Sequence, residues 1–225
     1  MIKLDDFIFV VPARKGSKGI KNKNIINLRG KKLIEYTFKN LVKINRKRKF
    51  VLTDCNKIKK IAKKYNLDTN YVRPRNLSGD KINIIDTLLH FDKFIKNVIK
   101  FKYYVILQPT SPLRTKKNIF EALKLFNKKK LESLCSISPS FEHPYDTISI
   151  YKKKTKPFQS NNTSRRQLYP KSYYINGAIY VFNKKLLKTY NIISKKKHGY
   201  YTMKKIRSID LDDYQDLEIL KKLIK

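Results

Sequence analysis

The stretch FIFVVPARKGSKGIKNKN, residues 7–24, decides how the rest of the chain is read. Phe7 to Val11 is an uninterrupted apolar run of strand length, the mark of a strand buried on both faces. It runs directly into a turn with two glycines, a hydroxyl and several cations. Beyond that turn, Leu33 to Ile44 carries apolar residues at helical spacing. Strand, polar turn and helix in that order open an α/β fold.

The alternation continues outward. Phe50 to Thr53 predicts a strand, Ile58, Ile61, Ala62 and Tyr65 one face of a helix, and Tyr71-Val72 a short strand. A helix from about Ile82 to Ile99 precedes a strand at Tyr103 to Leu107, and a helix near Ile119 to Phe126 precedes one at Leu134 to Ile137. Strands joined through helices pair mostly in parallel, because a crossover returns the chain to the same edge. From His143 the pattern changes to a β-prone piece at Thr147 to Tyr151 and then an aperiodic polar stretch. Residues 143–175 are read as a flap inserted into the sheet. Ala178 to Phe182 and Ile206 to Leu211 predict two further strands. Tyr214 to Ile224 predicts an amphipathic helix, with Asp212 or Asp213 as its cap. No repeat or long linker divides the chain, so residues 1–225 read as one domain.

The 225 residues are 41% hydrophobic, enough for a large buried core, and this excludes a disordered basic tail. The 53 Lys and Arg against 17 Asp and Glu leave a net charge of +36. Such a charge attracts phosphorylated ligands, and nucleic acid is the first candidate. The lysines, however, are spread along the whole chain, and zinc-finger spacing, an RNP-type strand and a helix-turn-helix signal are all missing. A solvated basic surface without specific nucleic-acid binding is the expectation. No apolar run has the roughly 20 residues of a membrane helix, and the N-terminus does not read as a secretory signal, so a soluble cytoplasmic protein without membrane insertion is expected. Cys55 and Cys135 stand apart, and His90, His143 and His198 lack metal or triad spacing, so all five are expected to be structural or exposed.

The unusual residues fall just after predicted strand ends, which in an open parallel sheet share the ligand-binding carboxyl edge. The first turn lets backbone N–H groups approach phosphate oxygens while Arg14, Lys18 and Lys23 neutralise them. It matches neither G-x-x-x-x-G-K-[ST] nor G-x-G-x-x-G. Gly16 and Gly19 either serve that approach or only shape the turn. Asp210 and Asp212, two apart on the predicted strand, project from one face. They offer the hard oxygens that Mg2+ prefers alongside substrate phosphates; the alternative is a helix cap and a surface residue. Arg73, Arg75, Arg165 and Arg166 are forks for phosphate or carboxylate among chains of lysine.

Six blocks in order, VVPARKGSKGIKNKNIINLRGKKLIEYT, LTD, RPRNL-x-x-D, LQPTSPLRT, NGAIYVF and SIDLD, resemble the acylneuraminate cytidylyltransferases, also called CMP-sialic acid synthetases, over nearly the full chain. The resemblance implies a Rossmann-like nucleotidyltransferase fold with a mostly parallel central sheet. It implies transfer of CMP from CTP to a nine-carbon keto-acid sugar, with release of pyrophosphate. Carried over residue by residue, Arg14, Ser17, Lys18 and Lys23 hold the triphosphate, and Asn24, Arg73 and Asp80 line the nucleotide pocket. Gln108, Arg166, Asn176 and Tyr180 meet the sugar, with Arg166 suited to its carboxylate. Asp210 and Asp212 hold Mg2+, and Arg14, Lys23 and the two aspartates form the catalytic set. The flap resembles the family's dimerisation segment, which implies a homodimer. Ile84 and Asp146 depart from the pattern, at positions where family members often carry a hydroxyl residue and a lysine. Sialic, legionaminic and pseudaminic acids stay open as the sugar. The Kdo cytidylyltransferases, whose opening loop lacks the SKG-x-x-x-KN run, are the alternative enzyme, and a nonenzymatic nucleic-acid-binding protein is the alternative class.

Overall fold

The computed structural model describes residues 3–17, 19–152, 154–159 and 165–224. Lys18 and residues 160–164 of the flap lie outside the described residues.

The apolar run after Asp6 becomes β1 (Phe7–Pro12), and its alternation decides how the molecule is layered. Phe7, Phe9 and Val11 point into one core, Ile8 and Val10 into another on the opposite face of the sheet. After the first loop come a two-residue ribbon, β2 (Asn27–Leu28) and β3 (Lys31–Lys32), and helix α1 (Leu33–Asn40). Next are β4 (Lys49–Leu52), α2 (Asn56–Lys64), α3 (Ile84–Ile95), β5 (Tyr103–Ile106), α4 (Lys116–Lys128) and β6 (Ser133–Pro139). A hairpin of β7 (Ile148–Tyr151) and β8 (Lys154–Pro157) leads to β9 (Tyr173–Asn183), β10 (His198–Thr202) and α5 (Tyr214–Leu223). Helices α1, α2 and α4 cover the first core and α3 the second. Among the described residues, no helix is long and apolar enough to cross a membrane.

The central sheet has the order β10-β6-β9-β5-β1-β4. β1 pairs in parallel with β4 and β5, and β6 with β10, while β9 runs antiparallel to both β5 and β6. The parallel pairs of β1 follow from the helical crossovers, and β6 and β10 are parallel because the chain reverses twice, through β9, between them. The exception falls where the chain travels from β6 to β9 through the hairpin and re-enters the sheet from the opposite edge.

Several boundaries differ from the sequence reading. The helix expected at Ile82 to Ile99 is α3, ending at Ile95, and β9 starts at Tyr173, inside residues 143–175 read as the flap. Tyr71-Val72 forms no strand, only an isolated bridge from Thr53 to Val72. The helix expected to reach Ile44 ends at Asn40. The strand expected at Ile206 to Leu211 is absent: Lys205–Arg207 is a 3-10 turn, and the chain then runs in no regular element to Asp212. The edge place beside β6 is taken instead by β10, whose HGYYT sequence is half-exposed and sits next to a lysine run that hid its signal. Asp213, not Asp212, caps α5: its side chain accepts from the backbone N–H groups of Gln215 and Asp216.

One lysine breaks the rule of a solvated basic surface. Lys49 is fully buried, and its Nζ donates to the carbonyl oxygens of Leu41, Val42 and Tyr65 at 3.1, 3.3 and 3.2 Å. These carbonyls close the ends of α1 and α2, where the helix dipoles are negative, so one ammonium satisfies both. Lys49→Met removes this donor from the Val42 and Tyr65 carbonyls and leaves the Leu41 carbonyl with only the Ile44 N–H, and is expected to cost about 1–3 kcal/mol of stability, measured by urea unfolding.

Candidate active site

The loops that leave β1, β4 and β5 meet at the carboxyl edge around a cleft of about 600 Å3. Arg14, Ser17, Lys23 and Asn24 come from the first loop, Arg73 and Asp80 from the segment before α3, and Gln108 from the loop after β5. Asp210 and Asp212 close the cleft from the segment before α5. Nine of the sequence-predicted residues therefore share one cavity. Ile82 and Ile84 form part of its wall, so one of the two departures from the family pattern, Ile84, lies on the cleft itself.

The first loop is held in shape by its own residues. The backbone N–H of Lys15 donates to Asp54 Oδ1 at 2.7 Å, and buried Asn24 donates from Nδ2 to the carbonyl of Arg14 at 3.0 Å. Arg14 pairs with Asp80. Arg73, buried, donates from Nε and Nη2 to the Leu77 carbonyl at 2.8 and 2.6 Å; burial lowers its pKa, and the Asp54 carboxylate opposes that shift. The two glycines separate clearly. A Cβ on Gly16 meets nothing, but one on Gly19 comes within 2.5 Å of the Asp212 carbonyl oxygen, so Gly19 is what lets the acidic segment approach the loop.

That segment belongs to no sheet and is fastened at several points. Leu211 packs in a small core with Ile20, Leu28, Leu33 and Leu217, which joins α5 to the first loop. Its N–H donates to the Thr110 carbonyl at 2.8 Å. Lys23 Nζ donates to the Leu211 carbonyl at 2.7 Å and to Asp212 Oδ1 at 3.0 Å. Ser111 Oγ donates to Asp210 Oδ1 at 3.1 Å. Burial pushes the Asp210 carboxyl above the usual carboxylate range and the charge of Asp212 adds to this; hydrogen bonds from Thr110 and Ser111 and the charge of Lys23 pull the other way. Among the described residues, no three His, Cys, Asp or Glu side chains gather as a self-sufficient metal site. Two carboxylates beside a cationic loop fit Mg2+ completed by phosphate oxygens and water, since that ion seldom takes an all-protein cage.

Of the other predicted residues, Lys18 lies outside the described residues, and Asn176, Tyr180 and Arg166 do not line this cleft. Asn176 is buried between strands. Tyr180 is half-buried in the sheet opposite Ile106, and burial, followed by Cys135 and Asp210, raises its hydroxyl pKa. Arg166 sits in the flap, exposed, 3.3 Å from Asp146. A residue without a predicted role is central: Arg114, fully buried, donates from Nη1 to the carbonyls of Gln108 and Ala178 at 3.0 and 2.7 Å, and from Nη2 to Thr37 Oγ1 at 2.6 Å. Burial pushes its pKa down to about 9. The only available signal was its place as the sole arginine of LQPTSPLRT. Gly177, at φ +73°, is also required, because a Cβ there falls 2.6 Å from Gln108 Oε1.

A cationic loop facing a carboxylate pair across one edge of a mostly parallel sheet is an arrangement that suits a nucleotidyltransferase. The family model described as Cytidylyltransferase matches residues 8–224, and the chain belongs to that family. It is 29% identical to the Campylobacter coli post-translational flagellin modification protein B, over 99% of this chain and 96% of that one. It is 30% identical to the Escherichia coli N-acylneuraminate cytidylyltransferase over 94% of this chain, which spans only 50% of that protein. Identity to the Campylobacter jejuni CMP-N,N'-diacetyllegionaminic acid synthase is 27%, over 97% of this chain and 95% of the other. In fold, the chain resembles CMP:2-keto-3-deoxy-manno-octonic acid synthetase complexed with CTP, with a TM-score of 0.71, 14% identity, and 97% and 98% of the two chains covered.

Because the folded-state pKa of Asp210 is raised, its contribution to stability is fully present below its unfolded pKa and is lost as pH rises through the folded value. Near neutral pH the ionised side chain therefore costs stability in the metal-free protein. Asp210→Asn, which keeps the acceptor for Ser111, is expected to raise the metal-free Tm at pH 7 by about 2–4 °C, and this gain is expected to shrink as pH falls, as followed by calorimetry.

Proposed function

We propose that this cytidylyltransferase transfers CMP from CTP to the anomeric hydroxyl of a nonulosonic acid and releases pyrophosphate. The observation that carries the reading is the meeting, in one cleft, of Arg14, Ser17, Lys23 and Arg73 with Asp210 and Asp212. It is supported by family membership and by relatives named for sialic and legionaminic acid activation. The sugar is one of the sialic, legionaminic or pseudaminic acid type. As a consumer of CTP the enzyme works in the cytoplasm.

The chemistry is an attack of the anomeric oxygen on the α-phosphorus. A new P–O bond forms, the bond from the α-phosphorus to the oxygen bridging to the β-phosphate breaks, and the hydroxyl proton passes to solvent. The anomeric hydroxyl is a weak nucleophile, and negative charge grows on the leaving pyrophosphate, so the protein contributes alignment and neutralisation. Arg14, Ser17 and Lys23, with Lys18 of the same loop, bind the triphosphate; Asn24, Arg73 and Asp80 shape the nucleotide pocket. Gln108, on the cleft wall, takes the sugar side. Asp210 and Asp212 are the ligands for Mg2+, which when bound neutralises phosphate oxygens and lowers the pKa of an attacking hydroxyl. Lys23, which now bonds Asp212, lies where a phosphate can share its ammonium.

The flap carries Ile148, Ile150 and Phe158 with more than half their surface exposed, 73% for Phe158. A second copy of the chain covers this apolar strip, and Arg166, which does not line its own cleft, reads the sugar carboxylate in the partner's cleft. Ile150→Asp is expected to shift sedimentation from dimer to monomer and to raise KM for the sugar; a wild-type monomer at micromolar concentration with full activity would rule the arrangement out.

Pyrophosphate release with CTP, Mg2+ and a panel of nine-carbon keto acids, with Kdo included, tests the reaction and its acceptor together. Asp212→Ala and Arg14→Ala are each expected to lower turnover at saturating Mg2+ by a few orders of magnitude, equivalent to about 3 kcal/mol or more of lost transition-state stabilisation. Near-normal turnover of either purified variant removes that residue from the mechanism.

A further inference from the structure

The amide of Asn176 is only 3% exposed, and each of its polar atoms has a partner. Its Oδ1 accepts from Ser136 Oγ at 2.6 Å and from the backbone N–H of Ala178 at 3.2 Å, and its Nδ2 donates to Ser208 Oγ at 2.9 Å. A backbone N–H can only donate, so the contact with Ala178 fixes which end of the amide is oxygen. Ser208, itself buried, donates onward to the Lys204 carbonyl at 3.0 Å and precedes Asp210 by two residues. Tyr174, also on β9, donates from its hydroxyl to the Ser208 carbonyl at 3.2 Å.

Asn176 lies where the register of β9 against β6 breaks. Cys135 pairs with Tyr180 and Ile137 with Ile175, so two steps on β6 span five on β9. The extra residues form a bulge whose next member, Gly177, packs on Gln108, and whose Ala178 carbonyl accepts from Arg114. The bulge thus touches both sides of the cleft: Gln108 through Gly177 and Arg114, and the acidic segment through Ser208.

From this geometry we propose that Asn176 is a positioning residue, whose amide ties the acidic segment to the β9 bulge through Ser208 and so sets Asp210 and Asp212 against Gln108. It acts through Ser208 and does not itself contact substrate. The proposal rests on the reading of Asp210 and Asp212 as the carboxylates that hold the divalent cation. Outer partners that orient metal-holding side chains are worth about 10–100-fold in metal affinity or activity.

The test uses the full chain carrying Asn176→Asp, which keeps the acceptor and loses the donor to Ser208, and separately Ser208→Ala. Hydrogen exchange reads the tie directly: in both variants the amides of residues 209–212, including Leu211, are expected to exchange faster while those of β1 and β5 keep wild-type rates. Calorimetry with Mn2+ added to the protein–CTP complex is expected to show about tenfold weaker cation binding in each variant. The double variant is expected to be no worse than either single one, since both cut the same link. Unchanged exchange at residues 209–212 overturns the tie. Faster exchange with unchanged Mn2+ affinity, or additive losses in the double variant, overturns its positioning role. A rise in sugar KM alone, with wild-type exchange and Mn2+ affinity, would instead make Asn176 a direct sugar contact. Failure of the wild-type CTP complex to bind Mn2+ overturns the carboxylate reading itself, an outcome that the exchange measurement keeps separate.

Discussion

Two aspartates must be brought to a cluster of loop cations without a strand to carry them. Residues 208–212 make no sheet ladder, so their place is set by contacts that are individually small: Lys23 on the Leu211 carbonyl and Asp212, Thr110 on the Leu211 N–H, Ser111 on Asp210, and Leu211 itself in an apolar cluster with Ile20 and Leu33. The absence of a side chain at Gly19 completes the approach. Every other feature of the cleft presupposes this closure, because the cationic loop and the carboxylates come from opposite ends of the chain.

Closure has an electrostatic consequence. Asp210 is withdrawn from water next to a second carboxylate, and its raised pKa shows that Lys23, Thr110 and Ser111 do not fully compensate. Arg114 shows the converse, a buried guanidinium fed mostly by neutral acceptors and shifted down accordingly. Such groups cost folding energy and are kept where their charge or reach is used. Here the proposed function gives the carboxylate a cation to hold, and the guanidinium ties α1, β9 and the loop after β5 into one frame.

The charge of +36 is mostly a matter of exposed lysines, yet two of the cations with defined work look no different in the sequence. Lys49 closes two helix ends, and Lys23 bridges loop and acidic segment. Composition describes the surface. Only depth and partners distinguish the lysine that is solvated from the one that holds structure together.

Periodicity alone determined the α/β alternation, the parallel pairing through helical crossovers and the convergence of strand-end turns on one edge, because each depends on local apolar spacing and on the handedness of the chain. The motif blocks, in their order, determined the family and nine residues of the cleft. Tertiary structure decided that residues 206–211 are not a strand and that β10 is. Edge pairing depends on which segment reaches β6, and neither candidate has a buried pattern on both faces. Tertiary structure also decided that the Asn176 amide bonds Ser136 and Ser208 and that Arg114 joins Gln108, Ala178 and Thr37, since a side chain's partners lie 30 to 80 residues away in sequence, as Ser208 and Thr37 do, and no local rule reports such distances.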